Sequence, residues 1–142
     1  MADAPLVRHK TLFNLGIVYR RVGDTSRSID NLKKASISGQ AKAATANNLG
    51  LSYFDIEDYD SAMEQFEKST STEQSLVDEK KGSLEDLAFY YNNMGLCHYH
   101  QARKIQEENE LMVQAVIAYD SAIKLNPDNA IHYFNRGNVR LH

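Results

Sequence analysis

The reading of this chain turns on Asn48-Leu49-Gly50-Leu51-Ser52-Tyr53: an amide, a large apolar residue and a glycine, with a tyrosine three residues after the glycine. The block recurs upstream as Asn14-Leu15-Gly16 with Tyr19. It recurs downstream as Asn93-Met94-Gly95 with His98, and as Asn135-Arg136-Gly137. Four copies in one short chain mark an internal repeat, whose units bury their apolar faces by stacking on each other. Leu49 follows Leu15 by 34 residues, Met94 follows Leu49 by 45, and Arg136 follows Met94 by 42.

Outside the block the composition favours helix. Of 142 residues, 42% are hydrophobic and 25% charged, and only two prolines and seven glycines interrupt them. Such a balance suggests neither disorder nor a membrane span. Leu6, Val7, Phe13, Ile17 and Val18 fall largely at helical spacing, and Gly23-Asp24 ends that pattern. A second helix is predicted from Thr25, as its cap, to about Ser38. The next pair is predicted over Ala43–Phe54 and Asp58–Lys68. In the second helices, Ser28, Leu32 and Ala35 correspond to Ala62, Phe66 and Ser69, and later to Ala115, Tyr119 and Ala122.

A helical pair of this period, with small-x3-large-x2-small in its second helix, resembles the tetratricopeptide repeat. The resemblance implies an all-α, right-handed solenoid of antiparallel helix pairs with about seven helices. The expected layout is one such domain over 1–142, with repeats at about 9–40, 43–76 and 88–128 and a half repeat at 129–142. The first excess over the strict period, around Thr70 to Ser83, reads as a longer second helix, with Gly82 ending it and Ser83 capping the next. The second lies between Gly95 and Ala115, and extends both helices of the third repeat by about one turn. The half repeat departs from the family at Arg136 and Arg140, where leucine and tyrosine are usual. Its Tyr133, Phe134 and Val139 still look for a partner, and because a solenoid end normally becomes polar, this favours a fragment of a longer array over a terminal cap.

No catalytic constellation is present: no phosphate-binding loop, dinucleotide fingerprint, nucleophile elbow or zinc-protease motif. We therefore expect no enzyme, cofactor or metal. His98 and His100, two residues apart on a helix, point to different faces, and His98 is expected to pack as Tyr19 and Tyr53 do. Asp55, Glu57, Asp58 and Asp60 lack calcium-loop spacing and read as acidic residues at a helix N-terminus. The mixed charges from Arg103 to Glu110 read as a solvated surface. Cys97 alone builds no intramolecular disulfide and is expected to fill space. The net charge of −3 gives no case for nucleic acid. The start, Met-Ala-Asp-Ala-Pro, has no apolar leader, so a cytoplasmic or nuclear location is expected.

The resemblance also places the first helices on the concave side. Asn14, Asn48, Asn93 and Asn135 would then form an asparagine ladder like that of family members that hold extended peptides by their backbone. An amide both donates and accepts, so it pairs with a peptide bond whatever the side chain. Around it the same face would carry Lys10, Arg20 and Arg21, then Asn47 and Phe54, Asn92 and Tyr99, and finally Asn138. Chaperone-binding members hold a C-terminal carboxylate with a clamp of lysines, asparagines and an arginine. At the positions compared, this chain carries Phe13, Ile17, Phe89 and Asn93, with Asn48 alone in place, so no such clamp is expected. The implied function is an adaptor that captures an extended segment of a protein partner, without nucleic acid or membrane. The competing reading is a scaffold that self-associates through its C-terminal helix.

Overall fold

The computed structural model describes residues 5–38, 42–105 and 108–139, with the side chains of all of these but 5–7, 105, 108 and 109. The side chains of Leu6 and Val7, and all of Arg140, therefore lie outside the described residues. The fold is all-α, with seven helices among the described residues: α1 (Pro5–Arg21), α2 (Thr25–Ile37), α3 (Ala43–Asp55), α4 (Tyr59–Asp78), α5 (Leu84–Ile105), α6 (Glu108–Leu125) and α7 (Ala130–Gly137). They belong to two compact units, Met1–Thr72 and Glu73–His142.

In the first unit each repeated glycine is a contact point between paired helices. A Cβ on Gly16 would collide with the Leu32 side chain of α2, and one on Gly50 would lie 2.6 Å from the Phe66 ring of α4. Leu32 and Phe66 are each 0% exposed. Their small companions Ser28, Ala35, Ala62 and Ser69 are equally buried. Small residues let the helix axes approach, and the large one fills the remaining space at interior density. Ser28 adds a polar tie, donating to the Gly16 carbonyl at 2.7 Å and accepting from the Ser52 hydroxyl at 2.8 Å.

The turns within the two hairpins of this unit are copies of each other. Gly23 has φ 87°, and Glu57, 34 residues later, has φ 60° in the left-handed region. The following aspartates close each turn through their N–H groups, Asp24 to the Tyr19 carbonyl and Asp58 to the Tyr53 carbonyl. Each then caps the next helix, Asp24 accepting from Arg27 N at 3.1 Å and Asp58 from Ser61 N at 3.2 Å. Asp24 is thus the cap and Thr25 the first helical residue. The expected start at Asp58 moves by one for the same reason.

In the second unit α5 and α6 run for 22 and 18 residues, against 13 each for α2 and α3, as the intact third triad predicts. Ala115 and Ala122 are 0% exposed and Tyr119 1%. The Tyr119 ring stands 2.5 Å from where a Gly95 Cβ would be. The connection before α5 differs in detail from the expectation. Lys80, not Gly82, takes the left-handed backbone, with φ 60°. Gly82 is required by proximity, since its Cβ would come 2.6 Å from Val77 N. Ser83 does cap α5, accepting from Asp86 N at 3.1 Å, while its own N–H donates to Glu73 at 2.7 Å. Asn129 caps α7 through Ile131 N at 3.1 Å.

Candidate functional site

In the first unit a pocket of about 340 Å³ opens between α1 and the start of α3, lined by His9, Lys10, Phe13, Asn14, Lys42, Ala44 and Thr45. Lys10 and Asn14 stand one turn apart on α1, both exposed, and Lys42 is exposed just before α3. The lining thus combines two ammonium groups, an amide and the apolar surfaces of Phe13 and Ala44, with no carboxylate among the described residues that line it. Lys10 and Asn14, one turn apart on α1, thus border the same opening as Phe13.

The back of the pocket is held by His9, which is 3% exposed. Its Nδ1–H donates to the Ala35 carbonyl at 2.8 Å and to Ser38 Oγ at 3.1 Å. Thr45 Oγ1 donates to Nε2 at 3.2 Å. This assignment of the ring protons is the one the carbonyl acceptor demands. One imidazole therefore ties α1 to the end of α2 and the first turn of α3, and its ring stacks on Phe13 at 6.4 Å. His9, Lys42 and Thr45 had no signal in the sequence, because the chain places them together only through the fold.

The remaining candidates separate by burial. Asn48 is half-buried, with its Nδ2 donating to the Ala44 carbonyl at 2.9 Å, which fixes the amide on the helix. Phe54 is half-buried with its ring edge against Tyr59. Arg20 is engaged by Asp55 at the end of α3 through two contacts of 2.7 and 3.1 Å, whereas Arg21 is exposed. Asn47, Asn92 and Asn93 are only 4%, 3% and 3% exposed. They stand in the interior instead of presenting amides at a surface. Asn92 accepts from Asn135 Nδ2 at 2.9 Å, so this pair links α5 to α7. Tyr99 is half-buried beneath Arg103, which lies 5.7 Å from its ring, and Asn138 is exposed at the end of α7.

Burial perturbs four further groups in the second unit, and it pushes the Tyr119 phenol well up. Tyr90 is pushed up to about 12, mainly by burial and then by Asp86 and Glu73. His98 and His132 are both held below the ordinary imidazole value by burial. His132 is 0% exposed, and neither ring nitrogen has a hydrogen-bond partner. Because the unfolded chain binds these protons more readily, stability is full above pH ~6.5 and falls as pH drops below it, by up to about 1.4 kcal/mol per pH unit and group. Replacing His132 with leucine removes two buried unsatisfied atoms. It should raise stability at neutral pH by about 1–2 kcal/mol and flatten the acid limb, as read by urea unfolding at pH 5 and 7.

Cys97 is 0% exposed and occupies the core, as expected. Among the described residues no group of three or more His, Cys, Asp or Glu side chains could hold a metal ion, and no helix is long and apolar enough to cross a membrane.

The sequence signature of the tetratricopeptide repeat matches residues 43–72, the hairpin that contains Gly50 and Phe66. No curated protein matches the sequence. Among solved structures, the chain is similar to the second tetratricopeptide domain of human RPAP3, determined in complex with the HSP70 peptide SGPTIEEVD. That match has 13% identity, a TM-score of 0.77, and covers 96% of this chain and 98% of that one. The first such domain of Spaghetti (RPAP3), bound to the HSP90 peptide SRMEEVD, gives 14% identity, a TM-score of 0.75, and covers 93% of this chain and 90% of that one. The O-GlcNAc transferase of Thermobaculum terrenum gives 15% identity and a TM-score of 0.74 over 96% of this chain but 22% of that one. The same architecture thus occurs as an isolated domain and inside a larger enzyme.

Proposed function

We propose that this chain, which carries the tetratricopeptide repeat signature over residues 43–72 and the fold of such domains, acts as a non-enzymatic interaction module that captures an extended peptide segment of a protein partner. The observation that carries this reading is the first-unit pocket, where Lys10, Lys42 and Asn14 surround an apolar floor. A carboxylate beside a small apolar side chain satisfies that lining. The ammonium groups meet the charge, and Phe13 and Ala44 meet the carbon surface. Asn48, held by its bond to Ala44, supplies an amide to the peptide backbone, and Asn14 a second. The two neighbouring domains seen with peptides hold segments ending Glu-Glu-Val-Asp, which makes an acidic-ended peptide the natural first probe.

The asparagine ladder enters this proposal in reduced form. Asn14 and Asn48 serve the peptide in the first unit, while Asn93, at 3% exposure, contributes to stability. Titration of a panel of extended peptides, with free and amidated C-termini, tests the reading. A free acidic terminus should bind best, and Asn48→Ala should weaken it about tenfold with unchanged helicity, whereas Asn93→Ala should lower the melting temperature. Equal binding of amidated peptides, or unchanged binding by Asn48→Ala, would remove this pocket from the mechanism. The scaffold reading is favoured by one observation, the exposed aromatic residues of α7, whose Phe134 is 66% exposed.

A further inference from the structure

We propose that the cleft that α4 forms with the end of α2 and the start of α3 is a phosphoryl site, which takes a phosphorylated side chain of the partner peptide beside the α1–α3 pocket. It lies within the first unit and is lined by Ser36, Lys42, Thr45, Ala46, Gln65 and Lys68, with no carboxylate among the described residues that line it. Lys42 and Thr45 line the peptide pocket as well, so the two openings share a wall. The identity of the ligand rests on the peptide reading above; the chemistry of the cleft does not.

Charge and free donors single out this cleft. Lys42 and Lys68 are exposed, and neither has an ion-pair partner among the described residues. Two other lysines of the unit are engaged, Lys34 with Asp30 at 3.1 Å and Lys33 over the Tyr53 ring at 5.8 Å. Gln65 is half-buried, and its amide makes no hydrogen bond among the described residues. The two hydroxyls are already committed, Ser36 donating to the Lys33 carbonyl at 2.7 Å and Thr45 to His9 at 3.2 Å. The donors that remain are two ammonium groups and one neutral amide. An oxyanion with a charge near −2 matches them.

The size of the cleft selects the shape of that anion. Its interior of about 10 Å³ holds one atom the size of a water oxygen. A phosphoryl group has three terminal oxygens, so it seats one in the interior and still presents two to the ammonium groups of Lys42 and Lys68. A carboxylate that seats one oxygen has a single oxygen left for both lysines. Lys42, on the shared wall, then lies between the phosphate and the carboxylate of one peptide and offsets the repulsion between them.

Two titrations into the isotope-labelled chain test the site. Inorganic phosphate alone should give saturable amide shifts at Ser36, Lys42, Gln65 and Lys68, and Lys68→Ala and Gln65→Ala should each weaken it by about fivefold. The second titration uses an otherwise alanine peptide ending Glu-Glu-Val-Asp, with phosphoserine placed about four to eight residues before the terminus, beside the same peptide with serine or glutamate there. At the best position phosphoserine should tighten binding by about tenfold over serine. Glutamate should recover little of that gain, and Lys68→Ala should abolish it. Affinity for the serine peptide should not change in Lys68→Ala, because Lys68 lies outside the peptide pocket. Its side chain is exposed and unpaired, so the variant should fold as the parent does, which a circular-dichroism melt verifies. Phosphate shifts scattered over many lysines without saturation, an equal gain from glutamate, or a gain that survives Lys68→Ala would overturn the proposal. A serine peptide that does not bind would remove the peptide pocket instead, and the phosphate titration would then decide the cleft by itself.

Discussion

Phe66→Ala is expected to lower stability by about 3–5 kcal/mol, the cost of removing a fully buried aromatic ring and leaving a cavity. Phe66 is 0% exposed and stands against Gly50, which has no side chain to fill the space. A domain of this size has only about 5–15 kcal/mol in total. The loss should therefore appear as a large drop in the urea midpoint, and the first unit should melt well before the second. The glycine provides the control. Gly50→Ala alone forces a methyl group to within 2.6 Å of the ring and should cost about 1–3 kcal/mol by overpacking. In the Phe66→Ala background the same methyl enters open space, and alanine's helix propensity makes it favourable by about 1 kcal/mol. A double-mutant cycle should therefore show a change of sign at Gly50. Additive losses would mean that the glycine is not a contact point.

The second large effect concerns binding. Lys10→Glu combined with Lys42→Glu should weaken an acidic-ended peptide by more than about tenfold, which is 1.4 kcal/mol, and the pair should remove most of the salt dependence of the wild type. Both side chains are exposed at the pocket. Stability should accordingly shift by no more than about 0.5 kcal/mol, as for other surface substitutions. Isothermal titration at two salt concentrations, beside a thermal melt, separates the two readouts. Full affinity in the reversed variant would place the peptide elsewhere.

The glycine, the large residue of each second helix and the small residues around it were legible in the sequence because they follow from spacing alone. A fixed offset within one repeat determines which residues of paired helices meet. The lengthened third hairpin was legible for the same reason, since its triad returns intact after the extra residues. Burial of the asparagines was not. A helical register says which side of its own helix Asn92 or Asn93 occupies, but not that a neighbouring helix covers that side. The Asn135–Asn92 bond between α5 and α7 is a tertiary fact of this sort. His9 and Lys42 were missed on similar grounds. The partners of His9 lie 26 to 36 residues away in the chain, and Lys42 precedes its helix, where periodicity gives no guidance. The cap of α2 fell on Asp24 in place of Thr25, and the start of α4 moved from Asp58 to Tyr59, because the carboxylates of Asp24 and Asp58 reach the free N–H groups of the first turn.

The central claim is that the first unit captures a peptide at the α1–α3 pocket. It is tested most directly by titrating an acidic-ended peptide such as SRMEEVD into the isotope-labelled chain and following its amide and side-chain resonances. The account predicts saturable shifts centred on His9, Lys10, Asn14, Lys42 and Thr45, with the Asn48 side-chain amide moving along with them. Shifts that bypass these residues, or a spectrum that does not change, would contradict it.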